Sequence, residues 1–287
     1  MVTNGMPLDL VQVTAWEQYS WLRHGFSTRS GGTSTVYGPG QLNLGFTTDD
    51  EPERVRENRR RFVEAVTGGE SGSLITVRQV HGAQIQTRLG GEAAEASGII
   101  QADGLISAAP RLWLGIQVAD CVPVLIADTR LRIVAAFHAG WRGTAQGIVQ
   151  QGIARMEQEF RSAPDDLIGA VGPCIGPCCY AVGEEVRSEF AGAFPYAADL
   201  FSTRDAAMHL NLAEANRRQM LDAGMAAERI ALVGECTGCT LLREGGRKYF
   251  SHRAENGFTG RSMALIGRVD EAGSRAPGSA ESSVESA

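Results

Sequence analysis

The chain has 287 residues, 43% hydrophobic and only 7% aromatic, long enough to bury one large core. With 27 Lys and Arg against 33 Asp and Glu, the net charge of −6 argues against a domain-wide basic footprint for nucleic acid. No apolar run approaches the ~18 residues of a membrane span, and the opening MVTNGMPLDL lacks the basic start and apolar core of a signal peptide, so the expected location is the cytoplasm and no membrane partner is expected.

Taken in order, the first clear element is a helix over residues 51–66. Asp49 or Asp50 can cap it, Pro52 suits its first turn, and Val55, Phe62 and Val66 fall near one face. The basic run RVRENRRRF lies on this helix, but Glu51, Glu53 and Glu57 interleave with it, so it reads as a solvated face. Strands are expected over 74–80, in the short run GLIS from Gly104, and over 112–118, 122–127, 131–137 and 229–233. The stretch 90–97 (GGEAAEAS) reads as a surface loop. Four strand candidates between Gly104 and Phe137 leave no room for helices, which excludes a simple βαβ repeat and predicts a mixed sheet or a pair of sheets with helices outside. A second helix fits 144–160, with Val149, Ile153, Met156 and Phe160 on one face. A third fits 212–223, started by Asn211 and Glu214 and stopped by Gly224. From Val269 the chain turns to Ser, Ala, Gly and Glu, so 1–268 reads as one domain and 269–287 as a disordered tail.

Three residues stand out by position. His81 (QVHG), Cys121 (ADCVP) and His138 (FHAGWRG) each lie at the carboxyl end of an expected strand or at a break in it, beside Gly82, Pro123, Gly140 and Gly143. Two imidazoles and a thiolate suit Zn²⁺, and three protein donors leave a fourth position open, the mark of a catalytic site. Their separations of forty and seventeen residues are too long for local metal spacing, so any convergence must come from the fold. Each also has a plain reading, as a buried thiol or a hydrogen-bonded imidazole. Asp120 can support the thiol, act as a general base or simply form a turn. Arg142, in a glycine-rich turn before a helix, is an anion candidate or an exposed turn residue, and Trp141 is core or a stacking surface. In a chain expected in a reducing compartment, the six Cys point to metal, catalysis or core. The pair Cys236 and Cys239 (CTGC), with Cys174, Cys178 and Cys179, offers the alternative of a structural thiolate site.

The motifs STRSGG, LNLGF, QVHG, ADGLIS, ADCVPVLIAD, HAGWRG, GPCIGPCCYAVG and SHRAENGFTGR occur in that order. Together they resemble the bacterial family long labelled polyphenol oxidase or laccase-domain protein, also called peptidoglycan editing factor, from about Gly25 to Arg268. The resemblance implies a single-domain α/β mixed fold of layered α/β/β/α architecture with mixed sheets. It also implies a zinc site of His81, Cys121 and His138, the same trio. The activities it implies are phosphorolysis of purine nucleosides (adenosine, inosine, guanosine, methylthioadenosine) and deamination of adenosine. Editing of muropeptide precursors and copper-dependent phenol oxidation have also been attributed to the family. This chain departs from the pattern at Cys174, where Ala is common, and at His252, where Tyr is common.

Five His, without closely spaced His pairs, are too few for a multicopper oxidase, so Cu²⁺ is expected as a substitute for Zn²⁺, or in a copper-dependent polyphenol oxidase side activity. For phosphorolysis, Arg29 and Arg142 are the candidate phosphate ligands and Asn43 a candidate polar contact to substrate, with Arg253 and Arg261 as further anion candidates. Cys121 and Asp120 are the candidate catalytic residues. A metal-free cysteine hydrolase using Cys121, with His81 or His138 as base and Asp120 as orienter, draws on the same residues. The expected partners are a purine nucleoside and phosphate, with monomer as the default state.

Overall fold

The computed structural model describes residues 8–90 and 100–270. Its elements follow the order β1 (Leu10–Val11), β2 (Leu22–Ser27), β3 (Ser30–Ser34), α1 (Pro52–Thr67), β4 (Ser73–Ile75), β5 (Ile85–Arg88), β6 (Gly104–Ser107), β7 (Leu112–Val118), β8 (Val122–Asp128) and β9 (Val134–Ala139). Then come α2 (Trp141–Ala145), α3 (Ile148–Phe160), β10 (Leu167–Val171), β11 (Ala181–Val182), α4 (Glu184–Ala193), β12 (Phe201–Arg204), β13 (Ala207–Leu210), α5 (Leu212–Asp222), β14 (Ile230–Leu232) and β15 (Ser262–Arg268).

Two mixed sheets carry the fold, in the orders β1-β2-β15-β7-β4 and β14-β10-β8-β9-β6-β5; a small sheet, β11-β13-β12, stands apart. Side chains alternate across each strand and so divide the core into layers. Leu114, Ile116 and Ile266 of the first sheet meet Leu125, Ala136 and Ile168 of the second between the sheets. The opposite faces turn outward. Val124, Ile126 and Phe137 bury against α3, α4 and α5, while Trp113 and Leu265 bury against Phe62 and Val66 of α1. The result is the layered α/β/β/α arrangement that the family resemblance implies, with the pair of sheets and outer helices that the strand order allows.

Several boundaries moved, each for a local reason. The strand expected over 74–80 ends at Ile75. Beyond it the Gln79 side chain does the pairing, donating to Gln117 O (2.7 Å) and accepting from Gln117 N–H (2.8 Å). The strand expected from 131 starts at Val134, because the Asp128 carboxylate accepts from the N–H groups of Arg130 and Leu131 and folds them into a turn. The strand then runs to Ala139, so His138 lies inside it and not after it. The helix expected over 144–160 is two helices, divided at Gly147, whose φ of +75° breaks the regular path. Helices α1 and α5 stand where expected, but neither Asp49 nor Asp50 caps α1, whose N-cap is Glu51 with no side-chain cap bond. Asn211 caps α5 by accepting from Glu214 N–H at 3.1 Å, and the Arg residues at 54, 56, 60 and 61 on α1 pair with Glu51, Glu53, Glu57 and Glu64 along the helix. Val269, assigned by composition to the tail, is buried, and its N–H donates to Trp21 O at 2.8 Å. Residues 271–287, and 91–97 of the expected loop, lie outside the described residues. Among the described residues no helix is long and apolar enough to cross a membrane.

A candidate metal centre on the floor of a polar cleft

The fold brings His81, Cys121 and His138 together: their ligand atoms all lie within 4.8 Å of one another. His138 comes from β9, Cys121 from the turn between β7 and β8, and His81 from the bend before β5. The group that organises them is Asp103, fully buried just ahead of β6. Its carboxylate accepts from the backbone N–H of Val80 (3.2 Å), His81 (2.9 Å) and Gly82 (2.8 Å). These bonds hold His81 in the left-handed region, at φ +60°. The same carboxylate lies 2.8 Å from His138 Nδ1. An ionised carboxylate only accepts, so Nδ1 carries the hydrogen and Nε2 is left as the donor atom toward the cleft.

The electrostatics suit a cation. Burial opposes a charge on His138, but the Cys121 thiolate and the Asp103 carboxylate prevail and hold it up to about 9. Burial likewise opposes ionisation of Cys121, yet the charge on His138 and hydrogen bonding from both imidazoles draw it down to about 6. Gly140 completes the cradle. A Cβ there would sit 3.1 Å from His81 Cδ2 and 3.2 Å from Cys121 Sγ. Two imidazole nitrogens and one thiolate, with His138 oriented by Asp103, match the donor set of an open tetrahedral metal site, so the residues fit such an ion.

The comparisons with known proteins agree with this fold. The family model described as multi-copper polyphenol oxidoreductase laccase matches residues 23–269. A protein named purine nucleoside phosphorylase YlmD, from Geobacillus stearothermophilus, is 36% identical over 255 residues, covering 86% of this chain and 90% of that one. The chain belongs to the laccase-domain YlmD/YfiH family. A purine nucleoside phosphorylase of Deinococcus radiodurans is 36% identical over 245 residues, covering 85% of this chain and 88% of its own. The crystal structure of YlmD from Geobacillus stearothermophilus superposes with a TM-score of 0.80 at 32% identity, covering 92% of this chain and 100% of that one.

In this laccase-domain chain the trio opens into a cleft of about 560 Å³. Its walls carry Arg78, Arg253, Arg261, Tyr180, His252 and Asp120. Burial, then the Cys121 thiolate, pushes the Tyr180 phenol up to about 12, so it stays a neutral hydrogen-bond donor. The Arg253 guanidinium lies 5.4 Å above the Tyr180 ring and donates to Ala181 O at 2.8 Å. Arg261 donates to the carbonyls of Thr259 and Gly260, both at 3.0 Å.

The other residues singled out by sequence are placed differently. Arg29 does not line the cleft. It is buried, paired with Glu255 at 3.0 Å, bonded to Gln41 and to Tyr37 O, and 4.8 Å from the Phe250 ring centroid, so protein acceptors engage its guanidinium. Asn43 is fully buried and bonds to Gly45, Asp50 and the Arg261 N–H (2.9 Å); it positions Arg261 instead of facing the cleft. Arg142 is exposed at the start of α2, 4.2 Å over the Trp141 ring, and Trp141 itself packs against the outer core. Asp120 reaches the cleft, but its carboxylate accepts from Thr237 Oγ1 (2.6 Å), Ser251 Oγ (2.7 Å) and Arg253 N–H (2.7 Å). At φ +87° it is a clamp joining three segments beside Cys121.

Sequence reading missed Asp103, Arg78 and Tyr180. Asp103 sits in the ADG that opens GLIS, and an Asp before Gly reads as a turn former. Its pairing with a His thirty-five residues away is visible only in the fold.

Proposed function

We propose that this protein is a zinc-dependent purine nucleoside phosphorylase with adenosine deaminase activity, its metal held by His81, Cys121 and His138. One observation carries the reading: an open three-donor metal set and the guanidinium-bearing Arg78, Arg253 and Arg261 share one cleft of nucleoside size. A bound Zn²⁺ supplies Lewis-acid assistance and lowers the pKa of a water. The arginines neutralise the phosphate dianion and hold it against the ribose. Phosphate oxygen then bonds to C1′, the C1′–N bond breaks toward the purine, and the purine takes up a proton. The products are free base and ribose 1-phosphate. Asp103 keeps the proton of His138 on Nδ1 throughout. In deamination water attacks C6 of adenosine and ammonia leaves.

The test is product analysis by mass spectrometry. Inosine or adenosine with phosphate gives free base and ribose 1-phosphate, and adenosine in phosphate-free buffer gives inosine. Zinc-loaded protein that yields neither overturns the reading. A second reading rests on the low-lying Cys121 thiol beside His138, itself oriented by Asp103: a cysteine hydrolase acting on muropeptide precursors. Full amide hydrolysis by metal-stripped protein, abolished by Cys121→Ala, would select it. We place the protein in a reducing cytoplasm as a monomer, with no nucleic acid or membrane partner.

A further inference from the structure

A second cluster of soft donors lies away from the imidazoles. Cys178 and Cys179 precede β11, and Cys236 and Cys239 follow β14. The four sulfurs all lie within 4.8 Å of one another, with Cys178 Sγ and Cys239 Sγ 3.5 Å apart. Zn–S bonds of ~2.3 Å in a tetrahedron set sulfurs ~3.8 Å apart, so the cluster has the dimensions of a tetrathiolate site. All six cysteines are free thiols.

The backbone around the sulfurs is shaped for them. Gly176 N–H donates to Cys236 Sγ at 3.2 Å. After Cys236 the chain folds into a tight knuckle, in which the N–H groups of Cys239 and Thr240 both donate to Cys236 O. Gly238 lies within that knuckle, where a Cβ would stand 3.0 Å from Cys179 Cβ. The two segments are already zipped together, Cys174 N–H to Glu235 O and Thr237 N–H to Cys174 O. Cys174 itself is buried and outside the cluster.

We propose that Cys178, Cys179, Cys236 and Cys239 form a second, closed site for a thiophilic divalent cation, Zn²⁺ by donor chemistry, that locks one wall of the cleft. Four protein donors leave no open position, so this site is structural where the His₂Cys site is open. Binding releases the thiol protons and ties residues 174–180 to 236–240. Two contacts carry that lock inward. Tyr180, next to Cys179, lines the cleft. Thr237, next to Cys236, donates to Asp120 Oδ1 at 2.6 Å, and Asp120 adjoins Cys121.

Metal content of protein purified in reductant without added metal tests this. The expected result is two zinc per chain, falling to one in the Cys178→Ser/Cys239→Ser double variant and to one in His138→Ala, from different sites. Cobalt-reconstituted protein separates them by spectrum. The intense sulfur-to-cobalt charge transfer of a tetrathiolate site persists in His138→Ala and disappears in the double variant. A double variant with the wild-type zinc count, or a Cys178–Cys239 disulfide in place of metal, overturns the proposal. If the double variant does not fold, the wild-type cobalt spectrum decides: absorption accounted for by one mixed imidazole–thiolate site overturns it. Loss of the open site leaves this readout intact, so the two assignments fail separately.

Discussion

His24 and His138 lie equally deep, 5% and 2% exposed, and meet opposite surroundings. His24, on β2, accepts a hydrogen bond from Val13 N–H at its Nε2 (2.9 Å) and lies 4.7 Å from the Trp16 ring, centroid to centroid. Among the described residues no carboxylate offsets its burial, which lowers it to about 4, so it stays neutral. His138 faces the Asp103 carboxylate and the Cys121 thiolate, which overcome burial and hold it up to about 9. Burial alone therefore keeps a histidine neutral; the anionic partners make the other a position where positive charge is favoured. The same contrast separates ordinary core from the candidate metal centre in this fold.

The sharpest break of that contrast is His138→Ala. It removes one donor and the group oriented by Asp103, so the open-site metal and nucleoside turnover are both lost, while the unfolding midpoint moves far less than turnover. Metal content and product formation measured on one preparation check it. Asp103→Asn is gentler. It keeps the size but removes the charge, and its amide can offer a donor where Nδ1–H needs an acceptor. A 10–100-fold loss of metal affinity is expected, in the range for residues that orient a metal-binding His. An unchanged affinity in competition with a chelator would mean that geometry alone builds the site. Smaller again is Arg78→Ala, at the cleft wall. Its expected effect is a roughly tenfold rise in KM for phosphate with little change in kcat, as for loss of one charged contact to an anion. Arg29→Ala, whose guanidinium is held by protein acceptors, lowers stability and leaves the phosphate KM unchanged.

The legible parts of the molecule were those written locally. Strand Leu112–Val118 and the short strand Gly104–Ser107 appear where continuous apolar runs put them, and α5 starts at the Asn211 cap. The candidate trio drew notice because His81 and Cys121 sit in glycine- or proline-marked breaks and His138 comes just before the glycines that follow its strand. The unread parts depend on distant partners. The strands Leu22–Ser27 and Ser262–Arg268 pair with each other across most of the chain, and HGFS or SMALIG carries little to announce that pairing. Arg29 and Asn43 misled for the same reason. Polar residues in glycine-rich motifs suggest a ligand, but besides local acceptors they engage Glu255 and Arg261, more than two hundred residues away. Nothing in STRSGG or LNLGF distinguishes a motif that touches substrate from one that holds the residue beside it.

The smallest effect tests the inert side of the contrast. In the unfolded chain His24 titrates near its ordinary value of 6.5, and in the folded protein near 4. Between these values the unfolded state binds more protons, so stability rises with pH. The contribution of a neutral His24 is complete above about 6.5 and is lost as pH falls toward 4. From pH 7.5 to pH 5.5 the linkage amounts to about 1 kcal/mol. Denaturant unfolding at the two pH values is the measurement. Wild type loses that amount beyond the loss in His24→Gln, whose side-chain carbonyl can still accept from Val13 N–H but cannot take a proton. Equal losses would show that His24 is already as easily charged in the fold as in water, and that depth without a carboxylate does not keep an imidazole neutral here.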